Sequence, residues 1–119
     1  MSRYRRVLVV EDDERIALLL ADVLNYDGYE VDIVHDGAEA LEYVRGRRPD
    51  AILLDLRLPT VHGWDFVERY RDVTEGQSIP IIVVSGAGPI PDSMYAMGVR
   101  QFIAKPFLLH ELIGALEAI

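Results

Sequence analysis

Short runs of apolar residues alternate with longer amphipathic stretches along the whole chain, and this alternation restricts the possible folds more than any other feature. Continuous β-branched runs such as Val7–Val10 are typical of strands that are buried on both faces. Apolar residues three and four positions apart, as between Glu14 and Asn25, indicate helices. The pattern predicts strands at 7–10, 31–34, 51–54, 79–84 and 102–104, and helices at 14–25, 37–45, 63–71, 92–97 and 108–118.

Five strand-helix units in strict alternation predict an α/β fold: a doubly wound, five-stranded parallel sheet with helices on both faces. Pro80 lies inside the fourth apolar run, so strand pairing is expected to begin after it. Pro89 and Pro91 delay the next helix, and the fourth helix should therefore be short.

Size and charge limit the function classes. The 119 residues predict a single domain spanning 1–119, and the absence of cysteine excludes disulfides and thiolate metal sites in this sequence. A net charge of −8 disfavours nucleic-acid binding. The sequence contains no apolar run of the ~20 residues that a membrane span needs. The apolar run near its start, Val7–Val10, is too short for a signal peptide. We therefore expect a cytoplasmic protein without membrane contact.

Chemically distinctive residues follow four of the predicted strands. Because the carboxyl ends of parallel strands meet at one edge of the sheet, their side chains should converge on one crevice. Lys105 is the chain's only lysine beside eleven arginines, and lysine offers a compact charge that suits a single phosphoryl oxygen. The strand ends are Glu11-Asp12-Asp13, Asp55, Ser85-Gly86 and Lys105-Pro106.

The carboxylates of this crevice have two interpretations. Each could cap a neighbouring helix or loop, and Asp13 with Glu14 fits that role best. Several carboxylates in one crevice repel each other, however, and a hard cation with oxygen ligands removes that repulsion. The joint pattern favours a Mg²⁺ and phosphoryl site over separate caps.

These residues, in this order, resemble the receiver domain of bacterial two-component response regulators. The blocks are Val9-Val10-Glu11-Asp12-Asp13, Leu53-Leu54-Asp55-Leu56-Arg57-Leu58-Pro59, His62-Gly63-Trp64, Val84-Ser85-Gly86 and Lys105-Pro106-Phe107. The resemblance covers essentially the whole chain and implies a flavodoxin-like sheet with strand order 2-1-3-4-5.

The resemblance also implies a role for each matching residue. Asp55 would accept a phosphoryl group from a phosphohistidine. Asp12 and Asp55 would bind Mg²⁺ directly, Glu11 through water, and Arg57 through its backbone carbonyl. Ser85 and Lys105 would each contact a phosphoryl oxygen, with Ser85 and Phe102 acting as the switch pair. The Lys105–Pro106 bond is expected to be cis, and Arg57 and Ala87 are expected to influence the lifetime of the phosphoryl group.

Three departures from the family pattern are visible. Glu11 stands where aspartate is more frequent, and Phe102 stands where tyrosine is common, so no hydroxyl is available there. The stretch between Ser85 and Lys105 is slightly short and carries Pro89 and Pro91. The first two departures leave phosphorylation intact, whereas the third affects the expected output surface.

The leading hypothesis is a phosphoacceptor regulator, not an enzyme with an external substrate, that is phosphorylated by a sensor histidine kinase or a histidine phosphotransfer protein. Its output would be a downstream protein or an effector domain outside this sequence, and a homodimer is left open. The alternatives are a receiver-like binding module that never uses its aspartate and a small phosphatase with Asp55 as nucleophile. Arg57 argues against a phosphatase because no second acid stands two residues after Asp55.

Overall fold

The computed structural model describes residues 5–58, 61–74, 76, 78–86 and 88–119. Its elements alternate strictly between strand and helix, as the sequence pattern predicts. They are β1 (Arg6–Val10), α1 (Glu14–Tyr26), β2 (Glu30–Val34), α2 (Gly37–Gly46), β3 (Ala51–Leu54), α3 (Gly63–Val73), β4 (Ile81–Ser85), α4 (Asp92–Ala96), β5 (Val99–Ala104) and α5 (Leu109–Glu117).

All five strands form one parallel sheet with the order β2-β1-β3-β4-β5, which confirms the expected doubly wound topology. The chain moves outward in one direction from β1 to β2 and in the other from β3 to β5. The strand order therefore reverses beside β1 and β3, where a crevice opens at the carboxyl ends of the strands.

Alternate residues of each strand pack against opposite layers of helices. In β1, Leu8 and Val10 belong to a buried cluster with side chains from α2, α3 and α4. Val7 and Val9 belong to a second cluster with side chains from α1 and α5. The sheet is therefore covered on both faces, which is why the central strands are continuous apolar runs rather than alternating ones.

The helix and strand ends lie within about two residues of the sequence prediction, except at the start of β5. Pairing of β4 begins at Ile81, directly after Pro80, which confirms the expected effect of the proline, and the strand extends to Ser85. The strand β5 begins at Val99 and is longer than predicted. The apolar pattern does not indicate its first half, because the polar residues Arg100 and Gln101 lie exposed on an edge strand. The predicted short fourth helix is confirmed, since α4 has five residues.

The first residue of α3, Gly63, lies directly against the end of β3. A Cβ atom added at Gly63 would lie 2.6 Å from Leu56 Cα and 2.8 Å from the carbonyl oxygen of Asp55. The Gly63 N–H also donates to the Leu56 carbonyl at 3.1 Å. Only glycine allows this contact, and it fixes the start of α3 beside the strand end that carries Asp55.

We expect Gly63→Ala to lower the free energy of unfolding by about 1–3 kcal/mol, because backbone atoms must shift to admit the methyl group. Gly114→Ala is the matched control, since a Cβ there meets no atom within 4 Å and alanine favours a helix interior. Urea denaturation of both variants measures the difference. Equal stability of the two variants would contradict the close contact.

Candidate functional site

The ends of β1, β3, β4 and β5 bring the predicted site residues to one crevice. Glu11 follows β1 directly, and its backbone N–H donates to the carbonyl of Val34 at the end of β2 at 3.1 Å. Asp55 follows β3, and its N–H donates to the carbonyl of Val10 at 3.1 Å. The ladder between β1 and β3 therefore continues past the strands and holds the two carboxylate-bearing residues side by side.

The lysine at the end of β5 bridges these two carboxylates. Lys105 Nζ lies 2.9 Å from Glu11 Oε1 and 3.0 Å from Asp55 Oδ2. The Lys105 N–H donates to the Ser85 carbonyl at 3.1 Å, which fixes the lysine relative to β4. The Lys105–Pro106 bond is cis, as the family resemblance implies.

The remaining oxygens of the pair are held by backbone donors. Asp55 Oδ1 accepts from the Arg57 N–H at 3.0 Å, and Glu11 Oε2 accepts from the Asp13 N–H at 3.2 Å. Both carboxylates are thus oriented by their local loops as well as by Lys105.

The electrostatics of the crevice favour a further cation. Burial raises the pKa of Glu11, with the charge of Asp55 adding to this shift and the hydrogen bond from Lys105 opposing it. Burial by itself lowers the pKa of Lys105, but the hydrogen bonds and charges of Glu11 and Asp55 outweigh burial, and the pKa lies above its usual value. Lys105 therefore stays charged, and one ammonium group faces more than one carboxylate.

A third carboxylate completes an acidic group. In the described part of the chain, Glu11, Asp12 and Asp55 each place a carboxylate oxygen within 4.8 Å of the others. Glu11 and Asp55 are buried, while Asp12 is exposed at the mouth of the crevice. Oxygen ligands of this kind, with one open side for water, are a donor set that fits Mg²⁺.

The neighbouring acid Asp13 has the separate role that the sequence indicates. It is the N-cap of α1, and its Oδ1 accepts from the N–H groups of Arg15 at 2.9 Å and Ile16 at 3.2 Å. Capping of this kind stabilises a helix by about 1 kcal/mol. Of the three consecutive acids, Glu11 and Asp12 therefore belong to the crevice, and Asp13 caps α1.

The two residues expected to act as a switch lie on adjacent strands. Ser85 is fully buried at the end of β4 and pairs in register with Ala104. Phe102 lies on β5, is half-buried, and packs against the cluster of α2, α3 and α4. Arg57 is exposed, and Ala87, which the sequence singled out beside it, lies outside the described residues, as does Pro59.

A histidine for which the sequence indicates no role contacts the backbone beside the crevice. His35 follows β2 directly, and its Nδ1 lies 3.0 Å from the carbonyl oxygen of Glu11. The spacing of His35, His62 and His110 in the sequence does not indicate a metal site. Spacing between histidines cannot reveal a contact between one of them and a backbone group. The sheet order could have indicated it, since β2 is the neighbour of β1.

Comparisons with known proteins agree with this geometry. A profile of the family described as the response regulator receiver domain matches residues 7–117. The response regulator MprA of Mycobacterium ulcerans is 34% identical over 116 residues, which are 96% of this chain and 49% of the relative. The chain therefore spans about half the length of the curated relatives it matches.

Solved structures show the same fold. The receiver domain of the sensor histidine kinase PA1611 from Pseudomonas aeruginosa, whose structure holds a magnesium ion in the active-site cleft, has a TM-score of 0.86 and 30% identity, covering 98% of this chain and 97% of that one. The chemotaxis protein CheY4 of Vibrio cholerae has a TM-score of 0.86 and 28% identity, covering 98% and 99%. In the part of the chain that the structure describes, every helix is too short or too polar to span a membrane.

Proposed function

Because this chain belongs to the response regulator receiver domain family, the phosphoacceptor domains of two-component systems, we propose that Asp55 is the residue that takes the phosphoryl group. The observation that supports it is the position of Asp55 at the end of β3, with Lys105 Nζ 3.0 Å from one carboxylate oxygen. Asp55 is buried except for its opening to the crevice, where a donor can reach it.

The reaction transfers one phosphoryl group and requires no other covalent change. A carboxylate oxygen of Asp55 attacks the phosphorus of a phosphohistidine, the P–N bond breaks, and its electron pair returns to the imidazole nitrogen, which takes up a proton. The product is an aspartyl phosphate. The protein contributes position and charge, which are the main components of catalysis in phosphoryl transfer.

The acidic group fits Mg²⁺ as the cofactor. Asp12 and Asp55 would hold the ion directly, Glu11 through water, and Arg57 through its backbone carbonyl. When bound, the ion neutralises charge on the phosphoryl oxygens. Lys105 holds a second oxygen with its ammonium group, and the Ser85 hydroxyl donates to a third.

The same residues separate this function from the alternatives. We propose that the domain, spanning residues 1–119, catalyses only its own phosphorylation and dephosphorylation. A binding module that never uses Asp55 does not need a half-buried lysine between two carboxylates. A phosphatase with Asp55 as nucleophile would have its general acid–base two residues after Asp55, but Arg57 occupies that position.

Intact-protein mass spectrometry tests this function. After incubation with Mg²⁺ and acetyl phosphate, we expect a gain of one phosphoryl mass that is lost on standing, as an acyl phosphate hydrolyses. No gain would support the binding module. Continuous release of inorganic phosphate with no covalent intermediate would support the phosphatase.

The partner that fits is a sensor histidine kinase or a histidine phosphotransfer protein, acting in the cytoplasm where ATP supplies the phosphoryl group. An apolar groove of about 550 Å³ begins at Lys105 and runs between α1 and the start of α5. Because Lys105 contacts both the groove and Asp55, a protein that brings phosphohistidine to Asp55 covers this groove. Its lining residues are Ile16, Leu19, Leu20, Lys105, Pro106, Phe107 and Leu109.

The groove has exposed apolar side chains that an incoming helix can bury. Leu19 is 57% exposed and Leu109 is 45% exposed. Burying a leucine side chain contributes about 1.5–3 kcal/mol to association. The domain's net charge of −8 disfavours nucleic acid as the partner. Output through a downstream protein or effector domain, and a homodimer, remain predictions.

Leu19→Asp and Leu109→Asp are each expected to slow phosphotransfer from a phosphorylated histidine kinase by roughly tenfold or more, since a charge replaces buried apolar contact. Phosphorylation by acetyl phosphate, which needs no docking, should be unchanged. Leu18→Asp is the matched control, because Leu18 is 52% exposed on the same helix but does not line the groove. Equal slowing in Leu18→Asp would place the docking surface elsewhere.

A further inference from the structure

The turn between β2 and α2, residues 35–36, contacts the backbone of the loop that carries Glu11 and Asp12. His35 Nδ1 lies 3.0 Å from the backbone carbonyl oxygen of Glu11. A carbonyl oxygen only accepts hydrogen bonds, so Nδ1 carries the proton and donates it. The hydrogen bond therefore ties the turn to the residue whose side chain contacts Lys105.

The turn is itself held firmly in place. The His35 backbone N–H donates to Glu39 Oε1 at 2.9 Å, and the Glu39 N–H donates to Asp36 Oδ1 at 2.7 Å at the start of α2. At Gly37 the backbone is so close to the loop before α3 that an added Cβ would lie 2.1 Å from the carbonyl oxygen of Val61. These contacts fix the backbone that carries His35.

The residue that His35 contacts, Glu11, lies at the start of the loop that carries two of the three acids, Glu11 and Asp12. Glu11 is hydrogen-bonded through both side-chain oxygens, to Lys105 at 2.9 Å and to the Asp13 N–H at 3.2 Å. Its N–H donates to the Val34 carbonyl. The bond from His35 satisfies its remaining backbone group, so this residue is fixed at every polar atom.

We propose that His35 is a positioning residue for the cation site: its Nδ1–H holds the Glu11 carbonyl and so sets the direction in which Glu11 and Asp12 present their carboxylates. This inference depends on the proposed function only for the identity of the ion. Partners in the outer shell of metal sites orient the ligands and affect metal affinity in the same way. Without this bond, the ion must order the loop when it binds, and affinity falls.

The test uses three substitutions that separate the N–H donor from the ring. Asparagine places its Nδ2–H at the same number of bonds from the backbone as Nδ1 of histidine, whereas glutamine places its donor one bond farther out. Mg²⁺ titration followed by the fluorescence of Trp64, which is adjacent to Gly63 on α3, gives the affinity. We expect His35→Ala and His35→Gln to weaken Mg²⁺ binding roughly threefold to tenfold, the range for losing one hydrogen bond, and His35→Asn to stay within about twofold of the original.

Hydrogen exchange in metal-free protein provides a second readout. We expect the amides of residues 11–13 to exchange faster in His35→Ala and at the original rate in His35→Asn. Equal affinity and exchange in all variants, or an equal loss in His35→Asn and His35→Ala, would overturn the proposal. If the unsubstituted protein binds no Mg²⁺, the proposed cofactor fails, and the exchange rates still decide the role of His35.

Discussion

Asp55→Asn is expected to abolish the labile gain of one phosphoryl mass that we expect of the unsubstituted protein with acetyl phosphate and Mg²⁺. The amide is isosteric with the carboxylate but lacks the nucleophilic charge, so no acyl phosphate forms. The loss should be complete within detection. Intact-mass measurement under native and denaturing conditions records it.

The same substitution is expected to weaken Mg²⁺ binding. Asp55 is one of three residues whose carboxylate oxygens lie within 4.8 Å of each other, and removal of one charge reduces the attraction for a divalent cation. Its Oδ2 also contacts Lys105, so the variant leaves the ammonium with only Glu11 as an anionic partner. Trp64 fluorescence during Mg²⁺ titration should show the loss.

Asp13→Asn is the matched control for both measurements. Asp13 belongs to the same loop as Glu11 and Asp12, but its side chain caps α1. Asparagine is an equally good N-cap, so the fold should be retained. Phosphorylation and Mg²⁺ affinity should remain within about twofold of the original, which is small beside the effect of one hydrogen bond. Phosphorylation that persists in Asp55→Asn would move the acceptor to another residue.

The sequence predicts that these side chains lie together because the topology is regular. Once five strand-helix alternations predict a parallel sheet, the residue after each strand must lie at one edge. Asp55 and Lys105 are 50 positions apart in the chain, yet their contact at 3.0 Å follows from that rule together with the strand order. The fold and these principal residues are therefore readable without coordinates.

Two features were beyond the sequence pattern for physical reasons. The first half of β5 carries Arg100 and Gln101, and an edge strand tolerates exposed polar residues that resemble a loop. The contact of His35 with Glu11 involves a backbone carbonyl, and no residue type at position 11 signals it. The spacing of apolar residues indicates which side chains are buried. It does not indicate exposed edge strands or hydrogen bonds to backbone carbonyl groups.

Lys105→Arg is expected to slow phosphorylation by acetyl phosphate roughly tenfold to hundredfold, although the charge is conserved. Nζ lies between Glu11 Oε1 and Asp55 Oδ2 at 2.9 and 3.0 Å, a position that suits one compact ammonium group. The guanidinium is planar and longer, and it prefers a single bidentate partner. A displacement of about 1 Å in a catalytic group is enough for a loss of this size.

Removal of the Lys105 charge should slow phosphorylation more than Lys105→Arg does. The difference between the two variants separates the effect of the charge from the effect of its position. Lys105→Met leaves Glu11 and Asp55 facing each other, so we expect phosphorylation to fall about hundredfold or more. The pKa of the buried Glu11 carboxyl, already raised by burial, should rise further because the opposing hydrogen bond is lost. A group with a raised folded-state pKa binds protons more readily when folded, so the Lys105→Met protein should gain stability as the pH falls through that pKa towards the lower pKa of the unfolded chain.

Arg100→Lys is the matched control, since it makes the reverse exchange at an exposed position on the same strand. It should leave the phosphorylation rate and the pH dependence of unfolding unchanged. Measured rates that fall equally in Lys105→Arg and Lys105→Met would show that geometry matters as much as charge. A Lys105→Arg protein as fast as the original would mean that any positive charge suffices, and the chain's single lysine would then have no special role in the reaction.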